Sequence, residues 1–255
     1  MARIIAEEIR KDVYPGISTT EIASRIERFL NKENPQTAMR FNLRSGIRRL
    51  GPTGFPFEKF IGEIMEKSGY EVAMNQFVGG HCCTDYEIDF LAQKDNVLFV
   101  GECKYRNDIG GRVHIDDALA NYARFLDIST RALKEKSYPK DLKIKSLLVT
   151  NAKFTDKTID YARCVGVELL GWGYPEKNSL EAVIERRKLY PITILPSLNS
   201  FLAGFFAKDG KMLVHDVLST NITELARKTR TPEKKLQLLY DEAELLLKDE
   251  KAQRT

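Results

Sequence analysis

Residues 86–104 of the chain read YEIDFLAQKDNVLFVGECK. In both halves of this stretch, 86–91 and 97–104, apolar and polar residues alternate with a period of two. That period is typical of a half-buried β-strand. The polar residues 94–96 between the two halves are typical of a short turn. The stretch therefore predicts a β-hairpin.

The predicted hairpin carries two acids and a lysine. Glu102 and Lys104 are two residues apart, so they share one face of the second strand, and Asp89 approaches them if the faces of the two strands coincide. Carboxylate oxygens in such a group suit Mg²⁺ or Mn²⁺. Lys104 can orient a hydrolytic water or neutralise developing charge, and Glu58 on the preceding helix can add a carboxylate through a bridging water. The alternative is a solvated ion pair at a strand end, which contributes little.

Composition describes an ordinary globular protein. The chain has 255 residues, of which 43% are hydrophobic and 30% charged, and its net charge is +4. No apolar run approaches the roughly 20 residues that a membrane-spanning helix needs, so we expect no membrane association. The first eight residues include acids and no long apolar core, which argues against a secretory signal and predicts a cytoplasmic location.

The cysteines predict no structural metal site. They follow no C-x-x-C spacing, so reduced and mostly buried thiols are a better interpretation than a zinc site. The four residues are Cys82, Cys83, Cys103 and Cys164.

The order of predicted elements indicates an α/β protein. Residues 1–52 form a helical module, and residues 53–172 alternate helices and strands, which implies a mixed β-sheet flanked by helices. Residues 173–200 contain three prolines and are predicted to be a connecting region. Residues 201–255 are predicted to form a helical C-terminal module.

Two local features stand out in the N-terminal module. Ser18 and Glu21 have the spacing of a helix capping box. A further helix is predicted from about Pro35 to Gly51, and several basic side chains fall near one face of it. That face is either solvated or directed at phosphate groups. The basic residues are Arg40, Arg44, Arg48 and Arg49.

Several motifs resemble those of the PD-(D/E)xK nuclease superfamily. They are the runs Phe57-Glu58-Lys59-Phe60, Tyr86-Glu87-Ile88-Asp89 and Gly101-Glu102-Cys103-Lys104-Tyr105. The later runs 147–155, 161–162 and 167–170 resemble the Mrr-type restriction endonuclease branch of that superfamily. Together the motifs cover roughly residues 54–172. Ile88 stands where the name-giving proline would precede the aspartate, a departure that is common in this branch.

The resemblance implies a restriction-endonuclease-like core and metal-dependent hydrolysis of DNA. By motif, Asp89 and Glu102 would bind Mg²⁺ or Mn²⁺, with the backbone carbonyl of Cys103 as a further ligand. Lys104 would be the catalytic lysine, and Glu58 matches the acidic position of the first core helix. A homodimer would suit cleavage of both strands.

The flanking modules carry two fainter resemblances. Residues 14–22 and 40–44 resemble the latter helices of an ATP-cone domain, but the basic hairpin through which that domain binds nucleotide does not precede Ala2. We therefore expect a helical cap or a dimer contact here rather than ATP binding. Residues 214–247 resemble a helix-hairpin-helix unit, which would contact the DNA backbone; helical packing or dimerisation is the alternative.

Three functions remain open from the sequence. The leading hypothesis is a Mg²⁺-dependent DNA endonuclease, which the intact set of acids and lysine favours. The second is a non-catalytic DNA-binding protein that retained the nuclease fold. The third is a nucleotide-sensing regulatory protein built on the N-terminal helices. His81 and Glu87 lie near the predicted site, and polar loop and strand-face roles are expected for them.

Overall fold

The computed structural model of the protein describes residues 2–10, 13–51, 55–108, 110–135 and 141–249. Its centre is a five-stranded mixed sheet with the strand order β1-β2-β3-β5-β7, accompanied by a separate pair, β4-β6. Helices flank the large sheet, which confirms the predicted α/β fold. The strands are β1 (Glu71–Val78), β2 (Tyr86–Lys94), β3 (Val97–Lys104), β4 (Arg112–Val113), β5 (Lys143–Thr150), β6 (Lys153–Phe154) and β7 (Glu168–Leu170).

The helices fall into three groups along the chain. The first precedes the sheet: α1 (Ala2–Arg10), α2 (Thr19–Glu33), α3 (Pro35–Phe41), α4 (Leu43–Arg48) and α5 (Phe55–Lys67). The second lies between strands: α6 (Ile115–Glu135) and α7 (Asp156–Val165). The third follows the sheet: α8 (Leu180–Arg187), a 3-10 turn (Ile192–Ile194), α9 (Ser200–Lys208), α10 (Val214–Leu218), α11 (Ile222–Thr229) and α12 (Glu233–Leu247).

The predicted hairpin is present, and its register is regular up to one point. Strands β2 and β3 are antiparallel from the pair Lys94–Val97 to the pair Phe90–Gly101. β1 adds to the other edge of β2 in antiparallel orientation, whereas β3, β5 and β7 run parallel. The parallel strands therefore end together at the side of the sheet where Glu102 and Lys104 lie.

The helical modules at the two ends of the chain pack into the same core as the sheet. One cluster of buried apolar side chains contains Met39 from α3, Phe60 from α5, Leu147 from β5 and Leu239 from α12. The opposite sheet face has its own buried clusters; Leu148, next to Leu147, belongs to one of them. This alternation is what a strand covered on both faces requires.

The prediction of a connecting region at residues 173–200 is wrong. This segment contains α8 and the 3-10 turn, and its side chains at Leu180, Ile184 and Tyr190 are buried in the main core. Ser179 caps α8, since its hydroxyl accepts a hydrogen bond from the N–H of Ala182. The prolines that suggested a linker lie outside the helix.

The predicted helix over residues 35–51 is also wrong in one respect, because it is broken at Asn42. α3 ends before this residue and α4 begins after it, and the Asn42 amide donates a hydrogen bond of 2.6 Å to Glu27. The predicted helix start at Ser18 is confirmed, and Thr155 caps α7 in the same way. Each side chain accepts a hydrogen bond from a backbone N–H in the first turn of its helix.

The expectation of mostly buried thiols is wrong as well. Cys82, Cys83 and Cys164 are exposed, and Cys103 is buried. Among the described residues, none of the helices combines the length and apolar character that crossing a membrane requires.

Candidate active site

A cleft opens where β2 and β3 separate. Beyond the pair Phe90–Gly101, residues 86–88 of β2 pair with β1, and residues 102–104 of β3 pair with β5. Gly101 fits the point of separation because the Phe90 ring packs against it: a Cβ there would lie 2.2 Å from Phe90 Cζ. Asp89 and Glu102 are the first residues past this point, so the hairpin places both acids in the cleft.

Asp89 is held by the backbone of the neighbouring strand. Its Oδ2 accepts a hydrogen bond of 2.6 Å from the N–H of Cys103. Burial, followed by the charge of Glu102, raises the pKa of Asp89 to about 6. The bond to Cys103 opposes this rise. The acid is thus fixed in position while its negative charge lacks full compensation.

Glu102 is almost fully buried, at 7% exposure, and is held between two cations. Its Oε1 accepts a hydrogen bond of 2.7 Å from Lys104 Nζ, and its Oε2 accepts one of 2.5 Å from Arg124 Nη1. A buried carboxylate requires such partners, because desolvation of an unpaired charge is costly. Arg124, on α6, is a site residue that the sequence did not indicate.

Glu58, on α5, interacts electrostatically with the charged residues of the cleft. Its pKa is raised to about 7, mainly by burial and then by the negative charges of Asp89, Glu102 and Glu87. Lys104 acts in the opposite direction. The structure therefore brings together the predicted acids and the lysine, drawn from one helix and two strands.

The cleft has a volume of about 360 Å³, and most of its lining is polar. Glu87 takes part in this lining, as do Asp85 and Tyr86, which the sequence did not indicate. His81 lies elsewhere, in a loop that packs on α6: its N–H donates to the carbonyl of Asp127 over 3.0 Å. The full lining is Asp85, Tyr86, Glu87, Asp89, Glu102 and Arg124.

The donor set can be compared with what different metals need. No group of three or more His, Cys, Asp and Glu side chains within the described ranges is arranged to hold a metal ion. Mg²⁺ keeps several waters and is often held by one or two carboxylates, so Asp89 and Glu102, with the Cys103 carbonyl, fit Mg²⁺ or Mn²⁺.

Comparisons with known proteins find a relative and a solved structure that are similar to this chain. No protein-family model matches the chain. An uncharacterized protein from Archaeoglobus fulgidus is 33% identical over 165 residues, which cover 65% of this chain and 87% of the relative. The chain belongs to the family of this archaeal protein. The crystal structure of a protein of unknown function, AF1548, matches with a TM-score of 0.61 and 31% identity, covering 75% of this chain and 97% of that one.

Proposed function

We propose that the protein is a metal-dependent endonuclease that hydrolyses DNA phosphodiester bonds. The observation that carries the proposal is the convergence of Asp89, Glu102 and Lys104 at the point where β2 and β3 separate. The raised pKa values of Asp89 and Glu58 add support, because perturbed carboxylates in a cleft are typical of functional sites. The resemblance to PD-(D/E)xK nucleases assigns the same residues to the same chemistry.

Each charged group has a role that its surroundings support. A divalent ion bound at Asp89 and Glu102 would supply a water of lowered pKa and stabilise charge on the phosphate. The Lys104 side chain is 30% exposed, so its ammonium is accessible to solvent while remaining bonded to Glu102. From there it can donate a hydrogen bond to the attacking water or to a phosphate oxygen.

Glu58 is suited to proton transfer. With a pKa of about 7, its carboxyl group exists in both protonation states near neutral pH. A group of this kind can accept a proton from water and return it later, which is the requirement for general acid–base catalysis. In this proposal Glu58 acts on the reacting atoms through a bridging water.

The proposal extends to the assembly and setting of the enzyme. A homodimer with two cleavage sites related by a two-fold axis would cut both strands of a duplex. An Mrr-type restriction or DNA-processing role in the cytoplasm is the corresponding biological function. The alternative is a protein that binds DNA without hydrolysing it, and the experiment below distinguishes the two functions.

The experiment is cleavage of supercoiled plasmid in the presence of Mg²⁺, with EDTA as the metal-free control. We expect Asp89→Asn, which can still accept the Cys103 N–H bond, to lower the cleavage rate by about a hundred- to a thousandfold. Asp160→Asn, in an exposed ion pair with Arg163 on α7, is the matched control and should cleave at the wild-type rate. Cleavage that survives in Asp89→Asn contradicts the proposal, and DNA binding without any metal-dependent cutting supports the non-catalytic alternative.

A further inference from the structure

A second cavity, of about 420 Å³, lies between the N-terminal and C-terminal helices. The end of α4 contributes Arg48, and Arg49 follows it directly. The segment after β3 contributes Asn107, and the start of α9 contributes Ser200. The lining thus combines two guanidinium groups with neutral side chains and contains no acid.

Both guanidinium groups are held by neutral acceptors. Arg48 Nη2 donates to the Ser45 hydroxyl over 3.1 Å, and Arg49 Nη2 donates to the Thr193 carbonyl over 2.5 Å. In the part of the chain that the structure describes, no carboxylate forms an ion pair with either group. Arg124 differs in this respect, because Glu102 neutralises it. The cavity therefore presents positive charge that the surrounding residues leave uncompensated.

A third arginine increases this charge. Arg44 lies over the ring of Trp172, with 5.4 Å between its Cζ atom and the ring centroid. Burial and then the charge of Arg48 lower the pKa of Arg44, and the charge of Glu181 opposes this change. Arg44 and Arg48 are thus close enough to repel each other. An anion in the cavity would relieve this repulsion.

The cavity is connected to the strand end that carries Lys104. Tyr105 is the next residue, and its hydroxyl donates a hydrogen bond of 2.7 Å to the carbonyl of Arg48. The Tyr105 ring also contacts Phe57, next to Glu58 on α5, at 5.8 Å between ring centroids. The backbone of Arg48 is therefore linked through Tyr105 to the end of β3, which carries Glu102 and Lys104, and to α5, which carries Glu58.

We propose that the guanidinium groups of Arg48 and Arg49 bind a phosphodiester group of the DNA backbone outside the bond that is cleaved. Arginine suits this role because its planar fork of N–H donors matches phosphate oxygens. Contacts of this kind fix the position of the protein on DNA without reading its sequence. The inference rests on the proposed function in taking DNA as the ligand, but it is tested by binding alone.

The experiment measures binding of the full chain to a fluorescent DNA duplex by anisotropy, in EDTA so that no cleavage occurs, over a series of salt concentrations. Each phosphate contact contributes about 0.9 to the slope of log affinity against log salt. We expect Arg48→Gln and Arg49→Gln each to reduce the slope by about that amount and to weaken binding several-fold. Arg163→Gln, which removes an exposed arginine paired with Asp160 on α7, should behave as wild type.

Two further measurements test whether the Arg→Gln variants are folded and whether the cavity binds a free anion instead of DNA. Arg48→Lys and Arg49→Lys retain the charge and should restore most of the salt slope, which a merely misfolded variant would not do. Thermal shifts with inorganic phosphate test whether the cavity binds a free anion. A shift with phosphate that the Arg→Gln variants lose, together with unchanged DNA binding, would assign the cavity to a free anion and overturn the proposal.

The remaining outcomes distinguish this inference from the proposed function. Salt slopes that stay at the wild-type value in both Arg→Gln variants overturn the phosphodiester site, even if Asp89→Asn abolishes cleavage. Reduced slopes in both variants support the site, even if no cleavage is ever detected. A wild-type protein that fails to bind DNA overturns it directly.

Discussion

Two lysine–glutamate ion pairs on the same sheet have similar N–O distances but differ in how far their side chains are buried. Lys104 and Glu102 are 2.7 Å apart, and Lys145 and Glu168 are 2.9 Å apart. The Glu102 side chain is 9% exposed, whereas that of Glu168 is 51% exposed. The first pair also shares its glutamate with Arg124, and the second has solvent around it.

The N–O distance of an ion pair therefore does not by itself indicate a functional site. The pair formed by Lys145 and Glu168 is an exposed ion pair of the kind that contributes little to stability. The desolvation cost of a buried ion pair can exceed the attraction between its charges, so the burial of Glu102 between two cations is weak evidence for a stabilising role. Glu102 is buried beside Asp89, whose pKa is raised, and this arrangement supports the proposed cation site.

Replacing the two lysines tests this comparison with the largest expected effect. We expect Lys104→Ala to reduce Mg²⁺-dependent plasmid cleavage by about a hundred- to a thousandfold, because it removes a cation that acts on the reacting phosphate or water. Lys145→Ala should cleave at the wild-type rate. The two rates are compared under saturating Mg²⁺, and equal losses in both variants would show that the pairs are functionally alike.

The point at which β2 leaves β3 can be tested through Gly101. We expect Gly101→Ala to lower the free energy of unfolding by about 1–3 kcal/mol, since its Cβ would collide with the fully buried Phe90 ring. Gly204, on α9, is the matched control, because a Cβ there meets nothing within 4 Å. Gly204→Ala should be neutral or stabilising by up to about 1 kcal/mol. Urea unfolding measures both, and equal stability of the two variants would contradict this account of the cleft.

Arg124 distinguishes the two ion pairs, so its removal should change metal binding. We expect Arg124→Gln to bind Mn²⁺ about tenfold more tightly, because a positive charge next to the proposed ligand Glu102 is lost. Arg163→Gln, which removes an exposed ion pair with Asp160, should leave the affinity unchanged. Calorimetric titration with Mn²⁺ measures the affinities, and weaker binding to Arg124→Gln would instead assign Arg124 a supporting role in holding Glu102.

The pH dependence of stability should reflect the crowded carboxylates. Folding raises the pKa of Glu58 from 4.5 to about 7 and that of Asp89 from 3.8 to about 6. The folded state therefore binds more protons than the unfolded state in this range, and metal-free stability should fall as the pH rises from about 4 to about 7.

We expect Glu58→Gln to remove part of this decline, by about 1 kcal/mol after allowance for solvent screening. Glu168→Gln, from the exposed ion pair, should retain the full decline. Urea unfolding in EDTA on both sides of the pH range gives the comparison. Identical pH profiles for the two variants would mean that Glu58 is not coupled to the cleft.

The hairpin could be predicted from the sequence because its signals are local. The alternation of apolar residues and the polar turn at residues 94–96 specify both strands, and the spacing of Glu102 and Lys104 specifies their common face. The glycine at position 101 was also visible, and a glycine inside a strand often marks a close approach. What it approaches, the ring of Phe90, follows only from the cross-strand register.

Arg124 could not be predicted, because its role depends on tertiary structure. Which face of α6 meets β3 is set by the crossover that joins them, and no spacing in the sequence fixes that angle. The prediction of a connecting region at residues 173–200 is wrong for a different reason. Its prolines at 175 and 191 flank a helix instead of interrupting it, and the capping residue Ser179 between them was the signal that was available.

The most direct test of the central claim is calorimetric titration of Mn²⁺ into the wild-type protein, Glu102→Gln and Glu168→Gln. If the cleft between β2 and β3 is a metal site, the wild type and Glu168→Gln bind Mn²⁺ with the same affinity, and Glu102→Gln loses that binding. Equal binding by all three proteins, or no binding by the wild type, would contradict the claim.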